Sequence, residues 1–254
     1  MKILIADDTA ENLEAAKKAS KNFPEHEFFF TNLARKALKM LKNMDAVITD
    51  LFFSDEGHNE NDELSEAYQS YCSQIGKGAM FDEVYNYYYK SLGYNSAMRA
   101  LKDTLLLLQD GTTRKIVENK ISHYEKEGYM EWADEQRKKL QNIPAPQFPY
   151  GGAIMLKAKE LGKSHCLISD IHRHTQNGIT AVSAADAMII LLPLVANKVL
   201  SFKEVELDGG YDKYNDEDGK DSLFYMGHDK IRMGKDDSVA WDQAIKKILA
   251  QNHS

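Results

Sequence analysis

The first 53 residues alternate short apolar runs with amphipathic segments in a regular rhythm. The apolar runs have the length and composition of buried parallel strands, and the segments between them carry apolar residues at helical spacing. This alternation predicts a β-α-β-α-β unit with parallel strands and right-handed crossovers. The predicted strands cover residues 2–6, 27–31 and 45–53.

A long helical stretch then interrupts the rhythm. From residue 59 to 142 the apolar positions recur at the spacing of amphipathic helices, and nine of the 13 tyrosines fall in this stretch. Four or five such helices can close a small core of their own. The proline-rich residues 143–149 that follow are interpreted as a stiff linker leading back to the first domain.

The alternating rhythm resumes after the linker and predicts a doubly wound α/β fold of the flavodoxin-like type. Without the helical stretch, five strands and five helices alternate, which gives a parallel five-stranded sheet in the order 2-1-3-4-5. The expected domains are a discontinuous α/β domain, 1–58 and 146–254, and an inserted all-α subdomain, 59–145. The later elements are a helix at 151–161, a strand at 165–169, a helix at 181–196, a strand at 198–202, a small hairpin within 222–233 and a final helix from Ser238.

Composition and charge narrow the class of protein. Hydrophobic residues make up 43% and charged residues 28% of the chain, as in ordinary globular domains. A net charge of −7 without a basic patch argues against nucleic acid as a partner. The longest apolar run is too short for a bilayer, the N-terminus shows no signal pattern, and the two cysteines are far apart. We therefore expect a cytoplasmic protein with no membrane partner.

Three aspartates follow two strands that are neighbours in the predicted sheet. Asp7 and Asp8 end the first strand, and Asp50 ends the third. Because the carboxyl ends of parallel strands meet at one edge, these carboxylates are expected to converge and to need a counter-charge such as Mg²⁺. A metal-bound aspartate can also attack a phosphoryl group and become an aspartyl phosphate.

The segments ILIADD and VITDLFF, which carry these aspartates, resemble the receiver domain of bacterial response regulators. The resemblance implies that Asp7 and Asp8 bind Mg²⁺ and that Asp50 accepts the phosphoryl group. It also implies that the backbone carbonyl of Phe52 binds the metal and that Ser169 and Lys203 complete the site, at the ends of the fourth and fifth strands.

The resemblance covers about residues 1–54 and 148–205, and the chain departs from it at three points. Phe53-Ser54 stands where the family has Met-Pro, no proline follows Lys203, and a segment of about 90 residues replaces a short loop. PYGG at 149–152 resembles the turn that opens the third helix of receivers. With its ISDIHRH segment, the chain more closely resembles an uncharacterised bacterial group of receiver-like proteins.

A second cluster, Asp170, His172 and His174, follows the fourth predicted strand. Imidazole and carboxylate groups suit zinc, iron or manganese, so the cluster is a candidate transition-metal site. The alternative is a loop that lines the pocket. ISDIH also resembles the opening motif of metallophosphoesterases, but the GD and GNH motifs of that family are missing from the chain.

Three functions remain open at this point. The first is a signalling receiver that takes phosphate from a histidine kinase or phosphotransfer protein and uses the helical insert as its output or partner surface. The second is a pseudo-receiver that binds a partner without turning over phosphate. The third is a metal-dependent phosphohydrolase that combines the aspartates with His172 and His174.

Overall fold

The structure is a computed structural model that describes most of the predicted α/β domain and parts of the predicted insert. The predicted hairpin within 222–233 and most of the predicted helices of the insert lie outside the described residues. The described residues are 1–54, 56, 62–74, 121–131, 133–134, 137, 147–169, 175–176, 179–180, 184–200 and 235–251.

A parallel sheet of four strands forms the centre of the described structure. Strand β1 lies between β2 and β3, and β6 pairs with the other side of β3. The predicted α/β class is therefore confirmed, and the four strands lie in the order β2-β1-β3-β6. The fifth strand and the complete five-strand order stay predictions. The strands of this sheet are β1 (Lys2–Ala6), β2 (Glu27–Thr31), β3 (Ala46–Thr49) and β6 (Ser164–Leu167).

Helices cover both faces of the sheet. The chain moves from β1 to β2 in one direction and from β2 to β3 in the other, so right-handed crossovers place α1 on one face and α2 on the opposite face. Contacts agree with this arrangement: α1 packs against α6, whereas α4 packs against α2 and α5. The helices are α1 (Ala10–Ser20), α2 (Ala34–Leu41), α3 (Glu63–Ser73), α4 (Tyr150–Glu160), α5 (Ala184–Ala196) and α6 (Ser238–Gln251).

The third strand ends earlier than the sequence predicts. The backbone N–H of Asp50 still bonds to the Ala6 carbonyl of β1, at 2.8 Å, and the chain then leaves the sheet. Two short strands follow the break, β4 (Phe53–Ser54) and β5 (Gln147–Phe148), which pair antiparallel. The end of the predicted linker therefore forms a strand. The β4–β5 pair brings together the two ends of the long segment that lies between these strands in the sequence.

The prediction of a strand at 198–202 is wrong over the residues that the structure describes there. Residues 198–200 form a turn after α5, in which the N–H groups of Val199 and Leu200 both bond to the Leu194 carbonyl. Lys198 has a φ of 56°, the left-handed conformation that commonly ends a helix. Val199 and Leu200 are buried in this turn and belong to the hydrophobic core.

The first helix of the predicted insert, α3, packs directly on the α/β core. It contacts α2 and α4, and its Tyr68 and Tyr71 are buried in the same core as the sheet residues. The Tyr71 hydroxyl donates a hydrogen bond to the Ile190 carbonyl of α5. The division of the chain into two domains stays a prediction, but α3 shares the core of the sheet.

A further short hairpin, β7 (Thr175–Gln176) with β8 (Ile179–Thr180), follows β6. Across the described ranges, every helix is too short or too polar to cross a membrane.

Candidate functional site

Three carboxylates converge at the carboxyl edge of the sheet, as the sequence predicts. Asp7 and Asp8 follow β1, and Asp50 follows β3, which pairs with β1 in parallel register. Each residue offers a carboxylate oxygen, and the three oxygens lie within 4.8 Å of one another. Asp7 and Asp50 are buried and Asp8 is half-buried. The site lies where the strand order reverses, the usual place for ligands in open α/β sheets.

Asp7 is the most enclosed of the three carboxylates. Burial raises its pKa, because a charged group loses hydration inside the protein. The Lys235 ammonium, the Thr9 N–H and the Asn12 amide act in the opposite direction by stabilising the charged form. The Thr9 N–H lies 2.9 Å from Oδ1 of Asp7, and the Asn12 amide nitrogen lies 3.0 Å from the same oxygen.

A buried lysine, Lys235, bridges two of the carboxylates. Its Nζ lies 2.7 Å from Oδ2 of Asp50 and 3.0 Å from Oδ2 of Asp7. Only 3% of its side chain is exposed, so both ion pairs are screened from water. Three carboxylates (−3) and one ammonium (+1) leave a formal charge of −2 at the site, which a divalent cation would balance.

Lys235 is not among the site residues predicted from the sequence. The resemblance to receivers gave the lysine role to Lys203, which lies outside the described residues. Lys235 comes just before α6, and the indole of Trp241 on that helix donates a hydrogen bond of 2.6 Å to the Lys235 carbonyl. The signal in the sequence was weak: Ile231 to Met233 includes the charged Arg232, and Gly234 and Lys235 follow just before the last helix.

Ser54 holds the third carboxylate, Asp8, from the side of β4. The backbone N–H and the hydroxyl of Ser54 both donate to Oδ2 of Asp8, at 2.8 and 2.7 Å. The other oxygen of Asp8, Oδ1, receives one long contact of 3.4 Å from the Thr9 hydroxyl. Neither donor of Ser54 would exist if this position held the proline of the receiver family.

Two adjacent glycines allow α4 to approach the site closely. A Cβ at position 151 would overlap the Asp50 carbonyl oxygen and lie 2.8 Å from the Leu51 Cα. A Cβ at position 152 would overlap the ring of Tyr71 on α3. The Gly151 N–H also donates to the Leu51 carbonyl at 3.0 Å. The PYGG turn therefore fixes the backbone of Asp50.

Ser169 lies at the same edge, two residues beyond β6. The Ile168 N–H bonds to the Thr49 carbonyl at 2.8 Å, so the end of β6 stays beside the end of β3. Ser169 is fully buried, and its hydroxyl has no hydrogen-bond partner within the described part of the chain. A buried hydroxyl without a partner is costly, and it is available to a ligand oxygen at this edge.

The remaining predicted site residues have different outcomes. Phe52 is buried in the turn after β3, and the role of its carbonyl as a metal ligand stays a prediction. Asp170, His172 and His174 lie outside the described residues, and so the transition-metal site and the phosphohydrolase that would use it also stay predictions.

The three carboxylates fit a hard divalent cation. Mg²⁺ binds oxygens at about 2.0–2.1 Å and keeps several waters, so it can bind some of these carboxylates directly and reach others through water. Asp7, Asp8 and Asp50 would hold it. They supply oxygen donors alone, which suits Mg²⁺ better than zinc or copper.

Comparisons with known proteins give no relative for the chain. A scan against protein-family models, a search of curated proteins and a search of solved structures each find no match. The case for a function therefore rests on the geometry of the site.

Proposed function

We propose that this protein is a receiver-like signalling protein that accepts a phosphoryl group on Asp50, with Mg²⁺ bound by Asp7, Asp8 and Asp50. The observation that carries the proposal is the cluster of three carboxylates around Lys235 at the switch point of the sheet. An acidic cluster alone is common on protein surfaces. Two buried carboxylates with a buried ammonium, beside a buried hydroxyl that has no partner among the described residues, are a much stronger indication of chemistry.

Asp50, Lys235 and Ser169 have different roles in the proposed phosphoryl transfer. A carboxylate oxygen of Asp50 forms a bond to phosphorus as the bond between phosphorus and the donor breaks, and the leaving group takes its proton from solvent. The Lys235 ammonium lies against the Asp50 carboxylate and compensates part of its negative charge. Lys235 and the Ser169 hydroxyl then donate hydrogen bonds to the phosphoryl oxygens. Bound Mg²⁺ would neutralise charge on the transferred group.

The expected donor is a histidine kinase or a phosphotransfer protein, and the helical segment after Asp50 provides the output or partner surface. The link between site and segment is short: Ser54, which holds Asp8, belongs to the β4–β5 pair at the base of that segment. A phosphoryl group adds about −1.5 to −2 charges at neutral pH, which is enough to reorder a neighbouring segment.

Phosphorylation of the purified protein tests the proposal directly. Acetyl phosphate with Mg²⁺ should add one acid-stable, hydroxylamine-labile phosphoryl group, detected by intact mass. Asp50→Asn should abolish the modification, whereas Asp62→Asn, which changes the N-cap carboxylate of α3, should leave it intact. Modification that persists in Asp50→Asn contradicts the proposal.

Binding of Mg²⁺ is a separate test of the same site. A cation that binds only the folded state raises the melting temperature, so millimolar Mg²⁺ should stabilise the wild-type protein. Replacing Asp7 and Asp8 together by asparagine should remove this rise. An unchanged melting temperature in the wild type counts against a metal at the carboxylates.

One observation favours a pseudo-receiver as the second candidate. Asp50 is 3% exposed, and both of its oxygens already have partners: Oδ1 accepts from the Leu51 N–H at 2.6 Å and Oδ2 pairs with Lys235. A phosphoryl group needs room that this arrangement does not offer unless Lys235 or the turn after β3 moves. A protein that binds Mg²⁺ but resists all small phosphodonors would be the pseudo-receiver.

A further inference from the structure

Ser54 occupies one oxygen of Asp8 and leaves the other available. Its N–H and hydroxyl lie 2.8 and 2.7 Å from Oδ2 of Asp8. A carboxylate oxygen has two lone pairs, so these two donors fill the hydrogen-bonding capacity of Oδ2. From the described residues, Oδ1 receives only the long contact with the Thr9 hydroxyl, at 3.4 Å. Asp8 can therefore present one oxygen, and not two, to a cation.

The other two carboxylates of the site are restricted further, because the chain holds both oxygens of each. Oδ1 of Asp7 accepts from the Thr9 N–H at 2.9 Å and from the Asn12 amide at 3.0 Å. Oδ1 of Asp50 accepts from the Leu51 N–H at 2.6 Å. Oδ2 of each also pairs with Lys235, at 3.0 Å for Asp7 and 2.7 Å for Asp50, and Oδ2 of Asp7 accepts from the Asn12 amide at 3.1 Å. Each of the three carboxylates thus has at least one oxygen held by donors of the chain itself. Among these donors, the Ser54 hydroxyl is an exposed one that can be removed without opening a cavity.

Carboxylates that bind a cation through one oxygen each favour Mg²⁺ over Ca²⁺. Mg²⁺ takes six ligands in a near-ideal octahedron and binds carboxylates through one oxygen each. Ca²⁺ takes six to eight oxygens, often with a carboxylate that binds through both of its oxygens. A site that denies it a bidentate carboxylate leaves Ca²⁺ short of ligands while it satisfies Mg²⁺.

We propose that Ser54 is a positioning residue that fixes Asp8 for single-oxygen binding and thereby makes the site select Mg²⁺ over Ca²⁺. The inference rests on the proposed function, since it concerns the same metal site. The inference goes beyond the proposed function because it assigns the choice of cation to Ser54, which is not itself a metal ligand. Partners of metal ligands commonly act in this way, by orienting the ligand.

The position of Ser54 is fixed independently of the cation. Phe53 is fully buried and pairs with Phe148, and Ser54 pairs with Gln147 in the same two-stranded unit. The N–H of Ser54 is directed to Asp8, so a proline at this position would take away both donors. Proline restricts the residue before it to extended conformations, which Phe53 already adopts in β4. Ser54→Pro is therefore a reasonable second variant beside Ser54→Ala.

Calorimetric titration of the full chain with MgCl₂ and with CaCl₂ tests the inference. In Ser54→Ala the Mg²⁺ affinity should fall about tenfold, the lower end of the effect of removing such partners, with little loss of Ca²⁺ affinity. Ser54→Pro should reduce the preference for Mg²⁺ over Ca²⁺ further than Ser54→Ala does. Ser54→Thr, which keeps the hydroxyl, should retain the preference of the wild type. Ser73→Ala is the matched control, because that hydroxyl bonds to the Ser70 carbonyl on α3.

The possible results separate the inference from the proposed function. Equal losses of Mg²⁺ and Ca²⁺ affinity in Ser54→Ala, or an unchanged preference in both Ser54→Ala and Ser54→Pro, overturn the role of Ser54 and leave the metal site standing. Absence of binding by either cation in the wild type overturns both. A melting temperature close to that of the wild type shows that a variant is folded.

Discussion

The Lys235 ammonium lies 2.7 Å from the Asp50 carboxylate, in a part of the structure where both side chains are almost completely buried. The same ammonium also pairs with Asp7, so one lysine holds two carboxylates together at the end of two neighbouring strands. Without the Lys235 ammonium, the buried carboxylates of Asp7 and Asp50 would face each other without a compensating charge. The arrangement makes Lys235 important for stability as well as for the proposed chemistry, and the two roles can be measured separately.

Lys235→Met should destabilise the protein strongly and make it more dependent on metal. Removing one partner of a buried ion pair costs about 3–5 kcal/mol, because the remaining charge has no compensation. Mg²⁺ should recover part of this loss, so its stabilising effect should be larger in the variant than in the wild type. Urea unfolding with and without Mg²⁺ measures both effects.

Lys246→Met is the control for this experiment. Lys246 pairs with Asp242 on α6, but its side chain is 65% exposed, so its loss should change the stability little. Equal effects of the two substitutions would contradict the bridging role of Lys235.

Gly151→Ala should disturb the site through the backbone. The added Cβ overlaps the Asp50 carbonyl, so α4 or the turn after β3 must shift, at a cost of about 1–3 kcal/mol. Since Asp50 moves with its carbonyl, the Mg²⁺ affinity should fall as well. Denaturant unfolding and Mg²⁺ titration of the same variant give the two values.

Gly162→Ala provides a matched comparison. Gly162 has a φ of +65° at the end of α4, and a Cβ there meets no atom of the described residues within 4 Å. Strain of the left-handed conformation should lower the stability by about 1–2 kcal/mol without changing Mg²⁺ affinity. A loss of Mg²⁺ affinity in this variant would show that destabilisation alone explains the effect at position 151.

Asp62 should make the stability of α3 depend on pH in the acid range. Its Oδ1 accepts from the Ser65 N–H at 2.9 Å, and its Oδ2 lies 2.6 Å from the Arg35 Nε. The Ser65 N–H and the Arg35 guanidinium hold the pKa of Asp62 below its ordinary value of 3.8. Its contribution is therefore complete above that value and is lost as the pH falls through the lower pKa of the folded state.

Comparison of Asp62→Ala with the wild type measures this contribution. The variant should be less stable by about 1 kcal/mol at neutral pH, the usual loss for a helix N-cap. The difference should shrink below pH 3.8. Asp62→Asn, which keeps an acceptor oxygen for Ser65, should lose less than Asp62→Ala. A difference that grows on acidification would contradict the assigned direction of the pKa.

Tyr71→Phe tests whether α3 unfolds together with the sheet. The Tyr71 hydroxyl is buried and bonds to the Ile190 carbonyl, so its removal should lower the global stability by about 1 kcal/mol. Tyr129→Phe alters a ring that is 60% exposed and should change nothing measurable. Hydrogen exchange should show faster opening of α3, α4 and the sheet together in Tyr71→Phe. Faster exchange limited to α3 would indicate that α3 opens independently.

Much of the fold was predictable because it depends on local patterns. The apolar runs at 2–6 and 27–31 give β1 and β2 with the same bounds in the structure. The meeting of Asp7, Asp8 and Asp50 follows from the parallel pairing of two such strands, which the alternation of strands and helices already implies. These inferences needed no detail of loop geometry.

The features that the sequence did not reveal depend on contacts between distant segments. Val199 and Leu200 are as apolar as strand residues, but they are buried in the turn after α5. A run of four or five apolar residues does not distinguish a strand from such a turn. Lys235 was not predicted because the apolar run before Lys203 is longer and fits a strand better than the segment before Lys235. The bonds between Ser54 and Asp8 depend on how β4 passes the site, which no periodicity encodes.

The pairing of β3 with β6 has a consequence for the order of folding. Ala46 pairs with Ser164, so more than a hundred residues separate two strands that lie side by side, whereas β1, β2 and β3 follow one another closely in the chain. Closing such a long loop costs entropy before any contact is gained, and distant pairings of this kind form slowly. We therefore expect the first 50 residues to supply the nucleus and β6 to join after the rate-limiting step. Ile5→Val should mainly slow folding, and Leu167→Ala should mainly speed unfolding, in stopped-flow measurements with denaturant.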